Sequence, residues 1–383
     1  KKILLNICVI KVVICYYGTW SSYRPGLGKF EVANIPTDLC THLVYTFVGI
    51  DNFGNVISLD PYLDYAENWG KDYLRKFNAL KKTNPHLKTI LAVGGYNEGS
   101  EKYSLMASNP NLRKNFISSS IDMVTKYGFD GIEVDWEYPN RRDSIFGLDD
   151  VNNFSQLLKE LREEFDKKGL LLTGAVTAVG QLAKLSYNVT AISGYLDLVS
   201  IMAYDMYGPW DPVTGHNAPL HKGEGDDAIP PEYRYSVDLS LQYWLEQGCP
   251  HQKLVLGLPL YGRTFLLSQG SSHVRAPARG VGLTGPYTQT KGLIGYNEFL
   301  TEPWAIHRDN LAMVPYAVQG DNWVSYDDPD SLASKVAYGL QYDIAGVMVW
   351  SLETDDFHGI CREGNFPLLR SVNSALDRTT CLA

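Results

Sequence analysis

Acidic side chains alternate with apolar ones along one short stretch of the chain. The acids Glu133, Asp135 and Glu137 are each separated by a single residue, and the positions between and before them are apolar: Ile132, Val134 and Trp136. Alternate residues of a β-strand point to the same side, so the three acids would share one face. Full charges about 7 Å apart would repel, and at least one carboxyl should keep its proton near neutral pH. A protonated carboxyl can serve there as a general acid.

The alternative is an edge strand whose acidic face is solvated, but the apolar opposite face favours a buried strand.

Eight apolar, strand-like runs cover the chain, and helical periodicity separates most of them. The runs span residues 12–18, 42–49, 88–94, 129–137, 170–177, 196–204, 253–261 and 344–350. The helical patterns span residues 73–82, 111–127, 151–167, 232–247 and 330–341. This alternation predicts an α/β fold, a (β/α)8 TIM barrel whose strands are buried on both faces.

Residues able to do chemistry stand where the apolar runs stop. Catalytic groups of a barrel gather at the C-terminal ends of its strands. The residues at those ends are Tyr17, Phe47, Gly94, Gly95, Glu137, Tyr204, Asp205, Tyr261 and Trp350. A strand-end turn is the alternative for Tyr204 and Asp205, and a plain core position is the alternative for Trp350.

The spacing of the strands breaks once, between Tyr261 and Ile344. Residues 263–322 contain short β-like pieces and many glycines, which predicts a small α+β insertion subdomain between strand 7 and strand 8 of the barrel. The barrel would then comprise residues 11–262 and 323–383. Residues 1–10, apolar after two lysines, are interpreted as the remnant of a secretory signal or as a tag.

Composition argues against several classes of partner. The chain has 383 residues, of which 45% are hydrophobic and 20% charged, so it can bury a large core. A net charge of -9 without Lys/Arg runs argues against nucleic acid and against an anionic membrane surface, because both need a basic surface. A neutral substrate fits better. The 25 Tyr and 8 Trp suit stacking against sugar rings, although a Tyr-rich surface is the alternative.

Residues 130–139 read DGIEVDWEYP and resemble the signature of glycoside hydrolase family 18, DGxDxDWEYP. The family comprises chitinases and chitinase-like lectins. The chain departs from the signature at Glu133, where the family has Asp. Three further stretches resemble family motifs in barrel order: residues 91–95 (LAVGG, near the family's SxGG), 202–205 (MAYD) and 346–351 (GVMVWS). The resemblance covers nearly the whole chain after about residue 12 and implies the deep-groove subgroup, which carries such an insertion.

The resemblance implies a secreted, extracellular chitinase that hydrolyses β-1,4 links between N-acetylglucosamine units of chitin or chitooligosaccharides. In this family the substrate's own 2-acetamido carbonyl attacks, and the reaction retains configuration. Glu137 would be the acid and then the base. Asp135, with Glu133 beside it, would hold the acetamido N–H, while Tyr204 would bind its carbonyl and Asp205 an adjacent hydroxyl or amide. We expect a monomer without a cofactor.

The same resemblance implies the remaining substrate contacts. Trp350 would form the floor under the acetamido methyl group. The residues that would complete this pocket are Tyr17, Phe47, Met202 and Met348, with Tyr138 beside the acid. Further subsites would use Trp20, Asn97, Trp210, Tyr261, Arg263 and Glu298. Tyr96 stands where the subgroup usually has Trp after Gly-Gly, and a smaller stacking face there would weaken binding on one side of the cleft.

Six cysteines and two glycosylation sequons, at Asn153 and Asn188, fit an oxidising, secreted setting. Cys8 lies in the N-terminal remnant. The resemblance implies a disulfide between Cys15 and Cys40. The pairing of the other three, Cys249, Cys361 and Cys381, stays open, except that Cys361 should not bond to the insertion because Leu300 offers no thiol there. The resemblance also implies cis peptide bonds at Thr46–Phe47, Glu137–Tyr138 and Trp350–Ser351.

Two alternatives to a chitinase stay open. Glu133 favours a chitin- or oligosaccharide-binding lectin, because its extra methylene lengthens the carboxylate beside Asp135, whereas the presence of Glu137 favours an enzyme. An enzyme that cuts N-linked glycans shares the motif but usually lacks the large insertion. The eight His are scattered, so no metal site is predicted.

Overall fold

The computed structural model describes residues 11–268, 270–299 and 303–380. Its strands are β1 (Val12–Gly18), β2 (His42–Ile50), β3 (Val56–Ser58), β4 (Lys88–Gly94), β5 (Gly131–Asp135), β6 (Leu171–Thr177), β7 (Leu198–Met202), β8 (Leu254–Pro259), β9 (Tyr261–Leu267), β10 (Ala278–Val281), β11 (Leu293–Gly295), β12 (Ala305–Asp309), β13 (Val314–Gln319), β14 (Asn322–Ser325) and β15 (Gly346–Trp350). Its α-helices are α1 (Pro61–Asp64), α2 (Tyr73–Ala79), α3 (Glu101–Ser108), α4 (Pro110–Tyr127), α5 (Asp149–Asp166), α6 (Gly180–Ser186), α7 (Val189–Tyr195), α8 (Val237–Glu246), α9 (Tyr296–Phe299), α10 (Pro329–Leu340) and α11 (Pro367–Thr380). The segment predicted as a signal remnant or tag, residues 1–10 with Cys8, lies outside the described residues, as do Leu300 and Cys381.

Eight parallel strands close into a barrel. Their order is β1–β15–β8–β7–β6–β5–β4–β2, and β2 pairs back with β1. The short strand β3 extends β2 in the antiparallel sense. The predicted (β/α)8 TIM barrel is therefore confirmed, and the apolar character of its strands follows from burial on both faces.

Two apolar clusters divide the core of the barrel. The inner cluster contains side chains from the strands alone: Ile14, Tyr16, Val44, Ile90, Ala92, Val255 and Met348. The larger outer cluster combines the opposite faces of the strands with the helices packed around them. Successive residues of β1 alternate between the two, so Tyr16 faces the barrel interior and Tyr17 faces the helices.

Local signals fix the ends of the helices. Helix α4 follows Asn109, whose side chain accepts hydrogen bonds from the first helical N–H groups, and it ends at Gly128 in the left-handed conformation. Helices α2, α4, α5 and α10 cover the regions where the sequence predicted helices. Helix α8 starts at Val237, later than the predicted position 232, because Pro230 and Pro231 lead into a short 3-10 helix, Pro231–Tyr233.

A second, antiparallel sheet is inserted between β8 and β15, the seventh and eighth barrel strands, as predicted. Its strand order is β10–β9–β14–β13–β12, with β11 on the other part of β9. The sheet has its own apolar cluster: Phe265, Leu267, Val274, Ala276 and Trp323. Strands β9 and β14 bound the insertion, and the four-residue helix α9 lies within it.

Covalent and backbone features agree with the expectations drawn from the family. Cys15 and Cys40 form a disulfide, with sulfurs 2.02 Å apart. Cys249 and Cys361 are free thiols, so Cys361 is not bonded to the insertion. The peptide bonds Thr46–Phe47, Glu137–Tyr138 and Trp350–Ser351 are cis. In the part of the chain that the structure describes, no helix is long and apolar enough to cross a membrane.

Candidate active site

Strand β5 carries the acidic residues into the barrel. Glu133 and Asp135 are buried, with exposed fractions of 0% and 3%, and Glu137 follows the strand end in a half-buried position. The alternate residue Trp136 points to the outer cluster, where its indole N–H donates to Ser100 Oγ at 2.5 Å. The strand therefore presents its acids to the barrel interior, as the alternation predicted.

Glu133 is held by side chains from β6, which pairs with β5, and from β1, across the barrel interior. The Tyr16 hydroxyl on β1 lies 2.6 Å and 2.7 Å from the two carboxylate oxygens, and Thr173 Oγ1 on β6 donates to Oε2 at 3.2 Å. Sequence reasoning missed Tyr16 and named Tyr17 instead. The sequence holds no signal that separates the two, because β1 is apolar on both faces, and only the structure places Tyr16 on the interior face with Ile14.

The three carboxyls have raised pKa values. Burial raises the pKa of Glu133 to about 7, although the hydrogen bonds from Tyr16 and Thr173 oppose the shift. Burial, followed by the charges of Glu137 and Glu133, raises the pKa of Asp135 well above its usual value. Burial also raises the pKa of Glu137 to about 7. A carboxyl that is partly protonated near neutral pH can give a proton to a leaving oxygen and later take one from water.

One oxygen of the central acid, Asp135, can still accept a hydrogen bond. Asp135 Oδ1 is buried and has no hydrogen-bond partner among the described residues.

The end of β4 packs closely against β5: a Cβ on Gly94 would overlap the Asp135 carbonyl oxygen, and one on Gly95 would lie 2.7 Å from the Phe47 ring. Only glycines allow this approach, and both have positive φ.

Asp205 connects the barrel to the insertion. Its Oδ1 accepts hydrogen bonds from Tyr261 Oη at 2.6 Å and Arg263 Nε at 2.7 Å, and its Oδ2 pairs with Arg263 Nη2 at 2.7 Å. Its backbone N–H donates to Asn217 Oδ1 at 2.9 Å. Because Tyr261 and Arg263 belong to β9, the first strand of the insertion orients the Asp205 carboxylate. The Arg263 guanidinium also lies 5.1 Å from the exposed ring of Trp210.

An aromatic cluster forms one wall near the acids. The ring of Trp350 lies 5.4 Å from Tyr16, 5.9 Å from Phe47 and 6.1 Å from Trp20, measured between centroids. Trp20 is 40% exposed and stacks on Phe47. Of the other side chains expected in the pocket, Met348 belongs to the inner cluster, and Met202 and Tyr204 pack against it. These residues form a surface on which an acetamido methyl group could lie.

Two of the predicted contacts lie elsewhere. Tyr17 is fully buried in the outer cluster, where its hydroxyl bonds to Ser22 Oγ at 3.0 Å, so it cannot complete the pocket. Its side chain points away because it has the opposite parity to Tyr16. Glu298 is 2% exposed and accepts N–H groups of Tyr287, Thr288 and Gly295, so it organises a loop of the insertion rather than a sugar subsite.

The other predicted residues lie at or near the rim. Tyr138 is half-buried, and its hydrogen bond to Glu137 opposes the rise in the pKa of that acid. Asn97 is exposed after β4.

The two sequon residues lie on the outer helices: Asn153 is half-buried on α5, and Asn188 is exposed and caps α7. Within the described ranges, no group of three or more His, Cys, Asp or Glu side chains could hold a metal ion.

Comparison with known proteins identifies the family. Residues 12–355 match the model of the glycosyl hydrolases family 18. The chain belongs to this family. Its relatives include probable chitinase 2 of Drosophila melanogaster, which is 42% identical over 398 residues covering 95% of this chain and 80% of the relative. A solved relative is the Group IV chitinase of Ostrinia furnacalis in complex with allosamidin, with a TM-score of 0.94, 52% identity and coverage of 96% of this chain and 99% of that one.

The solved structures similar to this chain also include one with a different description. Human YKL-39, called a pseudo-chitinase with retained chitooligosaccharide binding properties, has a TM-score of 0.89 and 36% identity, with coverage of 96% of this chain and 100% of that one. Similarity therefore establishes the family and the fold. Whether this member turns over its ligand depends on the residues of its own site.

Proposed function

We propose that this family 18 member hydrolyses β-1,4 links between N-acetylglucosamine units within chitin, with retention of configuration and with Glu137 as the general acid and base. The observation that carries the proposal is Glu137 at the end of β5, with a pKa raised to about 7 beside the buried Asp135. The chitinase relatives from two insects support the substrate.

The first chemical step needs a proton donor and a nucleophile. Protonated Glu137 gives its proton to the leaving glycosidic oxygen, while the carbonyl oxygen of the substrate's own acetamido group attacks the anomeric carbon. Asp135 Oδ1, which has no partner among the described residues, accepts the acetamido N–H and orients the group. Negative charge on Asp135 also stabilises the cationic intermediate.

The second step returns the proton. Glu137, now ionised, takes a proton from water as the water attacks the anomeric carbon, and the bond between that carbon and the acetamido oxygen breaks. Two inversions give net retention. Tyr204 binds the acetamido carbonyl, and Asp205, oriented by Arg263, binds a neighbouring polar group. The aromatic wall formed by Trp350, Phe47 and Trp20 supports the C–H face of the sugar.

Binding without turnover is the second candidate, and two observations favour it. A related structure belongs to a pseudo-chitinase that binds chitooligosaccharides. In this chain Glu133 carries one methylene more than the Asp of the family signature. Against this candidate, Glu137 is present and its pKa is raised.

Proton NMR of a chitin hexasaccharide digest tests the proposal. Retention predicts that the β-anomer of the new reducing end appears first and then mutarotates. First appearance of the α-anomer would contradict the substrate-assisted route. Binding of the hexasaccharide without any product would favour the lectin.

The proposal includes secretion of the protein, its oligomeric state and its division into barrel and insertion. The Cys15–Cys40 disulfide and the exposed Asn188 of a sequon support secretion into an oxidising compartment. We propose a monomer, in which residues 11–262 and 323–383 form the catalytic barrel and residues 263–322 form the insertion that walls the cleft. A neutral sugar polymer as partner agrees with the net charge of -9.

A further inference from the structure

Arg142 stands beside the proposed acid on the loop that follows β5. Its Nη1 donates to the carbonyl oxygen of Tyr96 at 2.7 Å and to that of Glu137 at 3.1 Å. Its backbone has a positive φ of 58°, which turns the side chain back toward the strand end. Two hydrogen bonds therefore hold an exposed guanidinium next to Glu137.

The guanidinium lies on an aromatic ring. Its central carbon is 3.8 Å from the centroid of Tyr96, whose side chain is 60% exposed. At that distance it covers one face of the ring and gains a cation–π interaction. Because the same guanidinium donates to the carbonyl of Glu137, the stacked pair borders the residue that carries the acid.

The stacked pair is separate from the aromatic wall formed by Trp350, Phe47 and Trp20. Tyr96 follows β4 and Arg142 follows β5, whereas Trp350 ends β15, Phe47 lies within β2 and Trp20 follows β1. The proposed acid protonates the oxygen that departs with the leaving sugar, so that sugar must lie within reach of Glu137. Arg142 contacts the backbone of Glu137 and stacks on Tyr96, so the pair is placed to meet it.

We propose that Arg142 is a specificity-determining residue for the leaving sugar, with its guanidinium donating hydrogen bonds to that sugar's hydroxyl or acetamido oxygens. The proposal rests on the proposed function of the site. A guanidinium has five N–H donors in one plane. Two bonds are made by Nη1, and no acceptor among the described residues bonds to Nε or Nη2.

The loop does not depend on Arg142 for its position. The next residue, Asp143, accepts the backbone N–H of Ser100 at 3.0 Å, and Ser100 Oγ in turn donates to the Tyr138 carbonyl at 3.0 Å. Truncation of the exposed Arg142 side chain therefore leaves the loop tied to Ser100, at the start of α3. A matched control is Arg75, an exposed arginine on α2 whose guanidinium lies 5.1 Å from the ring of Tyr127.

The test compares two substrates that differ in their leaving group. One is the chitin hexasaccharide, whose leaving group is a sugar, and the other is 4-methylumbelliferyl chitobioside, whose leaving group is an aromatic alcohol without hydroxyl or acetamido groups for the guanidinium. For Arg142→Ala, the ratio of kcat/KM on the hexasaccharide to kcat/KM on the aryl substrate should fall about fivefold or more, as expected for the loss of one hydrogen bond. Arg75→Ala should leave the ratio unchanged.

An unchanged ratio, whether from no loss or from equal losses on both substrates, would overturn the proposal and make Arg142 structural. Arg142→Lys keeps the charge but loses the planar donor set, so its ratio should also fall. If Arg142→Lys kept the wild-type ratio of the two kcat/KM values, a role for the planar guanidinium would be contradicted. If the wild-type protein cleaves neither substrate, the proposed function is wrong. Calorimetry with the hexasaccharide then decides on Arg142: a fivefold weaker affinity for Arg142→Ala supports the proposal, and equal affinity overturns it.

Discussion

At the scale of single residues, Glu133 differs from the family Asp by one methylene, and its carboxylate makes hydrogen bonds to two other strands. Its carboxylate accepts the Tyr16 hydroxyl at 2.6 Å and 2.7 Å and Thr173 at 3.2 Å. These bonds hold the pKa of Glu133 below the value that burial alone would give. Glu133 therefore controls how much negative charge stands beside Asp135.

Replacement of Glu133 by Asp should move the acidic limb of the pH–rate profile to lower pH. The shorter side chain withdraws from Tyr16 and Thr173, so residue 133 keeps its proton to higher pH, and with less charge beside it Asp135 ionises more readily. The rate at the optimum should stay within about tenfold, because Glu137 remains the acid. Steady-state kinetics across the pH range measures both the position of the acidic limb and the rate at the optimum. An inert wild-type protein that becomes active in Glu133→Asp would mean that Glu133 has made this chain a lectin.

Trp350→Ala should weaken oligosaccharide binding more than it weakens folding. The indole is half-buried and packs beside Tyr16, which binds Glu133, so its loss removes a platform for the sugar, on the order of 1 to 3 kcal/mol by analogy with base stacking. Calorimetry with the hexasaccharide and thermal unfolding measure the two effects. Trp323→Phe, in the core of the insertion, is the control and should lower the melting temperature with little change in affinity. If Trp350→Ala also lowered the melting temperature with little change in affinity, the role of Trp350 would be structural.

Single residues also mark where sequence reasoning was insufficient. The acids of β5 were predictable because polar and apolar residues alternate there. Tyr17 was chosen over Tyr16 because β1 is apolar on both faces, so its sequence does not reveal which side chains face the interior. Glu298 was named from the resemblance, and only its tertiary contacts reveal that it binds the N–H groups of a loop.

At the scale of elements, the first strand of the insertion contributes to the site through Arg263. A planar guanidinium that binds both oxygens of Asp205 fixes the direction of that carboxylate. The barrel strands were predictable from their apolar runs, and the insertion from the gap between the seventh and eighth. The pairing order within the second sheet was not predictable, because it depends on contacts between strands distant in sequence.

Arg263→Lys should lower kcat/KM on chitin hexasaccharide by about ten- to a hundredfold, since a lysine cannot replace the bidentate pair and charge-assisted bonds contribute about 1.5–3 kcal/mol. Most of the change should appear in KM if Asp205 orients bound sugar. Thermal unfolding provides the control, and because the Asp205 carboxylate is exposed, the melting temperature should change little. A variant with wild-type kinetics would show that Asp205 needs no orientation by the insertion.

At the scale of the whole molecule, several buried carboxyls share a raised pKa. Burial raises the pKa of Asp64 to about 6 and those of Glu133, Glu137 and Asp355 to about 7. A group whose pKa is higher in the folded state stabilises the fold below its unfolded pKa, and this contribution is lost as the pH rises through the folded value. Burial of His42 acts with the opposite sign, since it lowers that pKa to about 4.

The free energy of unfolding should therefore fall between about pH 5 and pH 8, because the carboxyls with a raised pKa outnumber His42, whose shift acts in the opposite sense. Urea unfolding at a series of pH values measures the slope. Asp355→Asn should make the slope shallower, since Asp355 lies away from the site and its Oδ1 and Oδ2 accept N–H groups at the start of α11. A stability that rises with pH over this range would contradict the assigned directions.

The central claim is that Glu137 performs acid–base catalysis in a site that binds chitin. The most direct measurement compares wild-type protein with Glu137→Gln on the hexasaccharide, with products read by mass spectrometry and affinity by calorimetry. The wild-type protein should cleave the hexasaccharide, and Glu137→Gln, which cannot exchange the proton, should be slower by at least about a hundredfold with its affinity kept. Wild-type protein that binds but cleaves nothing from about pH 4 to pH 9, or a Gln variant as fast as wild type, would contradict the claim.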